Sequence, residues 1–386
     1  MEVLKNYING EWVKSSSTET IEVVNPANQA ILAKVPYGSS TAIDVTTACE
    51  TAFTAQKEWS KVPVMKRVQV LYHLKSLFES NREDIAKTIT NESGKTRDES
   101  FGEIQRAIEN IEVACGTPVL MAGDVIEDIA TGIDEMMIRQ PLGVTACITP
   151  LNFPSMIVFW FLPYAIATGN AFIVKPSEKV PMTMMKIFSL MDQLDLPKGL
   201  VNMVHGGKET VDAILEHPTI KAISFVGSTP VARYIYSKGT ANGKRVQAQG
   251  GAKNPVIVLP DADIEMSTKI IADSVYGCAG QRCLAASTIV TVDDQGNNLK
   301  DALYETVKSR TVGYGWDKGV SMGPVITPES KNRITDLIEL GISEGANALL
   351  DGRKTKVSGY EEGNFLAPTI LEDVHLAKQL IKTEIF

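Results

Sequence analysis

Three short apolar runs, at residues 143–148, 171–174 and 222–226, each give way to a turn and then to a helical pattern. Repetition of that kind predicts a parallel α/β sheet, because a strand that returns parallel to its predecessor needs a crossover, which is usually a helix. Open parallel sheets bind ligands beyond the carboxyl ends of their strands, so chemistry is expected in the residues that follow the runs. Those residues are polar. They read Thr149-Pro150-Leu151-Asn152-Phe153-Pro154 after the first run, Lys175-Pro176-Ser177-Glu178 after the second and Gly227-Ser228-Thr229-Pro230 after the third. In the third, Thr229 is the candidate N-cap and Pro230 the first helical residue, and the free amides of such a helix start suit a phosphate.

Lys175 and Glu178, three apart on a strand-end turn, could form a surface ion pair or offer an ammonium and a carboxylate to the two hydroxyls of a ribose. A carboxylate there would repel a ribose 2′-phosphate, which favours NAD over NADP. The G-x-G-x-x-G fingerprint of common dinucleotide sites is absent from the sequence.

With 386 residues the chain has room for two or three domains and a deep cleft. Apolar residues make up 44% and charged ones 22%, which places it among soluble globular proteins. A net charge of −8 argues against a nucleic-acid or anionic-membrane surface and for small-molecule partners. The five scattered cysteines, Cys49, Cys115, Cys147, Cys278 and Cys283, fit a reducing compartment, so a cytoplasmic protein is expected. Cys278 and Cys283 have no second Cys or His pair near enough in sequence to suggest zinc, and no metal is expected. Residues 1–14, with Asn9-Gly10 at their centre, predict strand, tight turn and strand rather than a targeting segment. The long apolar stretch at 156–174 is cut by Pro163 and by Thr168-Gly169-Asn170 into a helix and a short strand, so no membrane span is expected.

Cys283 closes the run Gly277-Cys278-Ala279-Gly280-Gln281-Arg282-Cys283. A thiol after a small-residue segment, where backbone amides can approach a substrate, is a nucleophile with a built-in oxyanion donor; the other reading is a packed structural cysteine. Arg282 beside it can hold a substrate carboxylate or anchor backbone.

The chain resembles the aldehyde dehydrogenase superfamily through Asn152-Phe153-Pro154, Lys175-Pro176-Ser177-Glu178, Phe225-Val226-Gly227-Ser228, Gly280-Gln281-Arg282-Cys283 and the terminal Glu384-Ile385-Phe386, in the family's order. The resemblance implies an α/β fold with a Rossmann-type NAD domain (1–122 and 141–249), a β oligomerisation excursion (123–140) and an α/β catalytic domain (250–386). It implies that Cys283 is the nucleophile and that Asn152 shares the oxyanion hole with the Cys283 amide. Thr149, Leu151, Lys175, Glu178, Lys179, Ser228, Gly250 and Glu384 would then surround the NAD.

Hydrolytic family members carry a general base in a Glu-Leu-Gly-Gly-Lys segment, and the matching stretch here is Gln249-Gly250-Gly251-Ala252-Lys253-Asn254. An amide at Gln249 cannot take a proton, so the thioacyl enzyme would await a stronger nucleophile than water, coenzyme A being the obvious one. With that departure the chain is similar to the CoA-acylating methylmalonate-semialdehyde dehydrogenase subgroup, which implies that Arg106 and Arg282 clamp a small aldehyde substrate by its carboxylate. Pro255 and Ala232 depart from the subgroup's usual His and Gly. Three alternatives stand beside this reading: a hydrolytic dehydrogenase of another semialdehyde such as succinate semialdehyde, a cysteine hydrolase, and an inactive homologue. In the superfamily Glu-Ile-Phe is followed by a segment that completes the catalytic domain and supplies an oligomerisation strand, so the chain is expected to be a fragment or to pair differently. A dimer or tetramer is expected where that segment is present.

Overall fold

In this computed structural model the structure describes residues 2–292 and 295–386; residue 1 and residues 293–294, which fall within the expected first and last spans, lie outside the described residues. In chain order the strands are β1 (Asn6–Ile8), β2 (Glu11–Val13), β3 (Thr20–Val24), β4 (Ile31–Pro36), β5 (Asp124–Ala130), β6 (Ile133–Met137), β7 (Val144–Ile148), β8 (Ala171–Lys175), β9 (Val201–Met203), β10 (Ile220–Val226), β11 (Arg245–Gln249), β12 (Asn254–Val258), β13 (Ala286–Thr291), β14 (Asn347–Leu350) and β15 (Ile370–Glu372). The helices are α1 (Thr41–Trp59), α2 (Val64–Ser80), α3 (Arg82–Ser93), α4 (Arg97–Cys115), α5 (Thr117–Leu120), α6 (Met156–Phe159), α7 (Leu162–Ala167), α8 (Met182–Met191), α9 (Lys208–Glu216), α10 (Thr229–Ala241), α11 (Ile264–Tyr276), α12 (Gln295–Lys308), α13 (Pro328–Ser343) and α14 (Gln379–Lys382). They fall into two compact units, one of residues 1–23, 33–85 and 102–249, the other of residues 24–32, 86–101 and 250–386. Segments 24–32 and 86–101, expected with the first domain, cluster with the second unit: the pieces of chain that pack together are not contiguous in sequence.

The first unit is built on a seven-stranded sheet of order β11-β10-β7-β8-β9-β1-β2. Strands β11 through β9 are parallel, and β1 joins the edge antiparallel through the Tyr7↔Met203 pair. The apolar runs become β7, β8 and β10; β8 is buried throughout and the other two for the most part, because helices flank a parallel sheet. The α1 helix shows how it is covered: Val45, Ala48, Cys49, Ala52 and Trp59 are buried at helical spacing, and the helix packs on β7, β8 and β9. At the other edge Asn9 (φ 57°) and Gly10 (φ 74°) make the predicted tight turn between β1 and β2. The stretch 156–174 forms two short helices and a strand rather than one helix and a strand, since Pro163 opens α7. Residues 123–140 contain an antiparallel hairpin, β5 with β6, whose side chains are exposed on both strands.

The second unit has a parallel pair, β12 with β13, joined through α11, and an antiparallel pair, β14 with β15. Its core gathers Val258, Ile271, Tyr276, Leu299, Leu303 and Met322. Asp263 caps α11 by accepting from the Met266 amide, and Thr327 caps α13 by accepting from the Ser330 amide. Among the described residues no helix is long and apolar enough to cross a membrane.

Candidate active site

In the first unit the strand order reverses at β7, with β8 on one side and β10 on the other, so their carboxyl ends border a topological switch point. Thr149 and Asn152, just past β7, are buried; Leu151 between them is half-buried. Glu103 pins this turn, its Oε1 accepting from the amides of Ser155 (2.7 Å) and Met156 (3.1 Å). At the end of β8 the Lys175 Nζ donates to Glu178 Oε2 at 2.9 Å, with only 5% of the lysine side chain exposed. The lysine is buried and the glutamate half-buried, so this is not a fully solvated surface pair. Burial alone would raise the Glu178 carboxyl, but the Lys175 charge and hydrogen bond outweigh it and hold the group below the usual carboxylate range. Lys179 is exposed.

Ser228, not Thr229, is the N-cap of α10, with Thr229 and Pro230 in its first turn. The extended backbone of Ser228 (φ −68°, ψ 150°) stops the helix one residue before the expected cap. Gln249 ends β11, where its carbonyl accepts from the Gly227 amide at 3.0 Å. Arg106, on α4, is exposed and pairs with Glu109 at 2.5 Å. His205, beyond β9, is fully buried; burial, reinforced by the Lys175 charge, lowers it to about 3 and keeps the ring neutral.

The second unit holds Cys283. Its side chain is half-buried, whereas Cys49, Cys115, Cys147 and Cys278 are buried. Burial pushes the Cys49 thiol up to about 12, and Cys147 higher still. Just before Cys283, Cys278 (φ 54°), Ala279 (φ 54°) and Gly280 (φ 77°) take three successive left-handed conformations. For the two non-glycine residues that costs about 1–2 kcal/mol each. Neighbouring groups hold the segment. Asn254 Nδ2 donates to the carbonyls of Cys283 (2.9 Å) and Ala285 (3.1 Å). Gln281, buried, donates to the Cys278 carbonyl at 3.2 Å and accepts from the Ile326 amide at 2.9 Å. Arg282 folds back on α11, its Nη2 donating to the carbonyls of Asp273 (2.7 Å) and Ser274 (3.0 Å).

A cavity of about 750 Å³ lies within this unit, lined in part by Lys253, Gly280, Arg282 and Glu384. Burial lowers the Lys253 ammonium to about 8. The Glu384 carboxylate lies against exposed backbone, accepting from the Ala252 amide at 3.2 Å, and a Cβ at Gly251 would come within 2.0 Å of it. Gly250 is exposed. The sequence reading missed Glu103, Asn254 and the Gln281 bonds, whose partners lie up to 53 residues away in the chain.

A thiol just beyond a held left-handed turn, and a parallel sheet whose switch point carries Asn152 and the Lys175–Glu178 pair, define a class: the chain belongs to the aldehyde dehydrogenase family, whose sequence profile matches residues 12–386. It is 45% identical to the malonate-semialdehyde dehydrogenase of Halalkalibacterium halodurans over 385 residues, all of this chain and 79% of that one. It is 46% identical to malonate-semialdehyde dehydrogenase 3 of Bacillus cereus over 386 residues, all of this chain and 78% of the relative. Among solved structures, methylmalonate-semialdehyde dehydrogenase of Oceanimonas doudoroffii matches with a TM-score of 0.97 at 39% identity, covering 100% of this chain and 78% of that one. A Sinorhizobium meliloti structure described as a methylmalonate-semialdehyde dehydrogenase complexed with NAD matches with a TM-score of 0.96 at 41% identity, with the same coverage.

Proposed function

We propose that this protein oxidises malonate or methylmalonate semialdehyde with NAD and passes the acyl group to coenzyme A, with loss of carbon dioxide, giving acetyl-CoA or propionyl-CoA. The observation that carries the reading is Gln249 at the end of β11, an amide where hydrolytic relatives place a base, in a chain whose half-buried Cys283 sits on a turn held from several sides. The names of its malonate- and methylmalonate-semialdehyde relatives support the substrate class.

The residues present fit NAD. A ribose diol needs a donor and an acceptor side by side, which the Lys175–Glu178 pair offers at a strand's carboxyl end, and the start of α10 at Ser228 offers amides to a phosphate. Thr149, Leu151, Lys179, Gly250 and Glu384 complete the proposed cofactor set. Bound NAD supplies the hydride acceptor for the oxidation.

The chain's own residues do the rest. The Cys283 sulfur, as thiolate, bonds to the aldehyde carbon, and the carbonyl electron pair moves to oxygen. Asn152 and the Cys283 amide donate to that oxyanion. Once the carbon is oxidised, a thioester links substrate to Cys283, and Gln249 cannot activate water against it. The thiol of coenzyme A attacks the thioester carbonyl and Cys283 leaves as thiolate. The substrate carboxylate, β to that carbonyl, departs as carbon dioxide, its electron pair being accepted by the carbonyl before a proton is added. Arg106 and Arg282 orient that carboxylate, each with guanidinium donors beyond those that meet Glu109 and the α11 carbonyls.

The test is steady-state NADH formation from malonate semialdehyde with and without coenzyme A. Strong acceleration by coenzyme A, with acetyl-CoA as product, is expected; equal rates with a free diacid as product would overturn the acylating reading. We also place the protein in the cytoplasm, a setting that suits five cysteines with no disulfide among them.

A further inference from the structure

The strained turn before Cys283 has an anchor outside its own neighbourhood in sequence. Glu99, in the first turn of α4, lies 179 residues before Cys278, and its Oε1 accepts from the Cys278 amide at 2.6 Å. The other oxygen of the same carboxylate, Oε2, accepts from the Thr96 amide at 2.8 Å, while Thr96 Oγ1 accepts from the Glu99 amide at 3.3 Å. The second arrangement is a reciprocal capping box at the start of a helix. A capping box uses one carboxylate oxygen. Here the second oxygen is committed to the first residue of the left-handed run, where Cys278 and Ala279 hold φ of 54° against the preference of side-chain-bearing residues. Charge-assisted bonds from a carboxylate to an amide are among the stronger hydrogen bonds, and strained backbone persists only where its surroundings over-determine it.

We propose that Glu99 is a positioning residue for the nucleophile: its carboxylate holds the 278–280 turn in the left-handed form that presents the Cys283 sulfur and amide to the substrate. The inference rests on Cys283 being the nucleophile. It goes beyond that reading by assigning a function to a helix cap that touches no reacting atom. Gln281, Asn254 and Arg282 hold the segment from the carboxyl side and from α11, and Glu99 is its hold at the amino end.

The experiment separates the two roles of the carboxylate. Glu99→Ala removes both the cap and the loop anchor; Thr96→Ala removes the hydroxyl half of the cap and leaves the loop anchor; Glu99→Gln keeps an oxygen able to accept from Cys278. Three quantities are read on the full chain: the melting temperature, the pre-steady-state burst of NADH from the semialdehyde, and the rate of Cys283 alkylation by iodoacetamide, with the site identified by peptide mass. Both alanine variants should melt earlier. Glu99→Ala alone should slow the burst and the alkylation about tenfold or more, with NAD affinity unchanged, and Glu99→Gln should recover most of the loss. Equal burst rates in Glu99→Ala and wild type, or equal slowing in Thr96→Ala and Glu99→Ala, would overturn the proposal. Should Glu99→Ala fail to fold, Glu99→Gln against Glu99→Asp decides it: the shorter Asp must slow the burst more than Gln does. A Cys283→Ser variant that still forms NADH would instead remove the underlying reading of the nucleophile.

Discussion

Cys283 drew notice in the sequence as a thiol after small residues, whereas its role and that of Asn152 came from the family resemblance of the motifs that hold them. The groups that hold Cys283 did not stand out. Asn254 looks like one more polar residue after Lys253, and only the pairing of β12 with β13 carries its side chain to the carbonyls of Cys283 and Ala285. Glu99 sits in a stretch with no assigned chemistry, and its partner in the turn is 179 residues away. At this scale the expected outcome for Asn152→Ala is a fall in kcat of about 10² to 10³, or about 2.7–4 kcal/mol of lost oxyanion stabilisation. The measurement is kcat beside the Kd for NAD, with the Kd unmoved. Arg106→Ala should raise KM for the semialdehyde while leaving the Kd for NAD alone; steady-state kinetics with the semialdehyde varied at saturating NAD checks it.

Among elements, β7, β8 and β10 were legible because largely buried parallel strands read as continuous apolar runs bounded by turns. Boundaries were less so. The N-cap of α10 is Ser228 where Thr229 was expected, since Pro230 is compatible with either of the first helical positions and cannot choose between them. The helix expected before β8 became two, α6 and α7, because Pro163 sits comfortably at a helix start but not inside one. Beyond β9, His205 gives the fold a pH dependence. Its pKa is about 3 when folded against an ordinary 6.5, so the unfolded chain binds the extra proton, and the stability this group contributes is whole above pH 6.5 and lost as pH falls toward 3. At pH 4.5 that loss is roughly 2–3 kcal/mol. Urea unfolding of wild type and His205→Gln at pH 7.5 and 4.5 checks it: the wild type should lose more stability across that interval.

For the whole molecule, each compact unit is assembled from pieces that are discontinuous in sequence, which hides its limits from a reading along the chain. The change at residues 249–250 coincides with the end of a strand, but the short pieces 24–32 and 86–101 join the second unit without any shift in composition. The β5–β6 hairpin exposes Val125 (69%) and Met136 (67%), and Ile138 (69%) just beyond it, so apolar surface gathers on strands with no buried side chain. If this surface mediates self-association, Val125→Lys with Ile138→Lys should lower the sedimentation coefficient toward the monomer while leaving the melting temperature nearly unchanged, because these side chains pack against little within the chain.

The antiparallel seat of β1 beside β9 also bears on how the protein is born. Tyr7 leaves the ribosome roughly 200 residues before Met203, its partner across the sheet edge. At synthesis rates of about 5–20 residues per second, the N-terminal hairpin waits some 10–40 s for the strand it docks on. Through that interval its Tyr7 and Trp12 rings, which come to rest edge-on to one another with Asp192 accepting from both, face solvent or a chaperone. The strand that extends this sheet edge is therefore made well before the strand on which it docks.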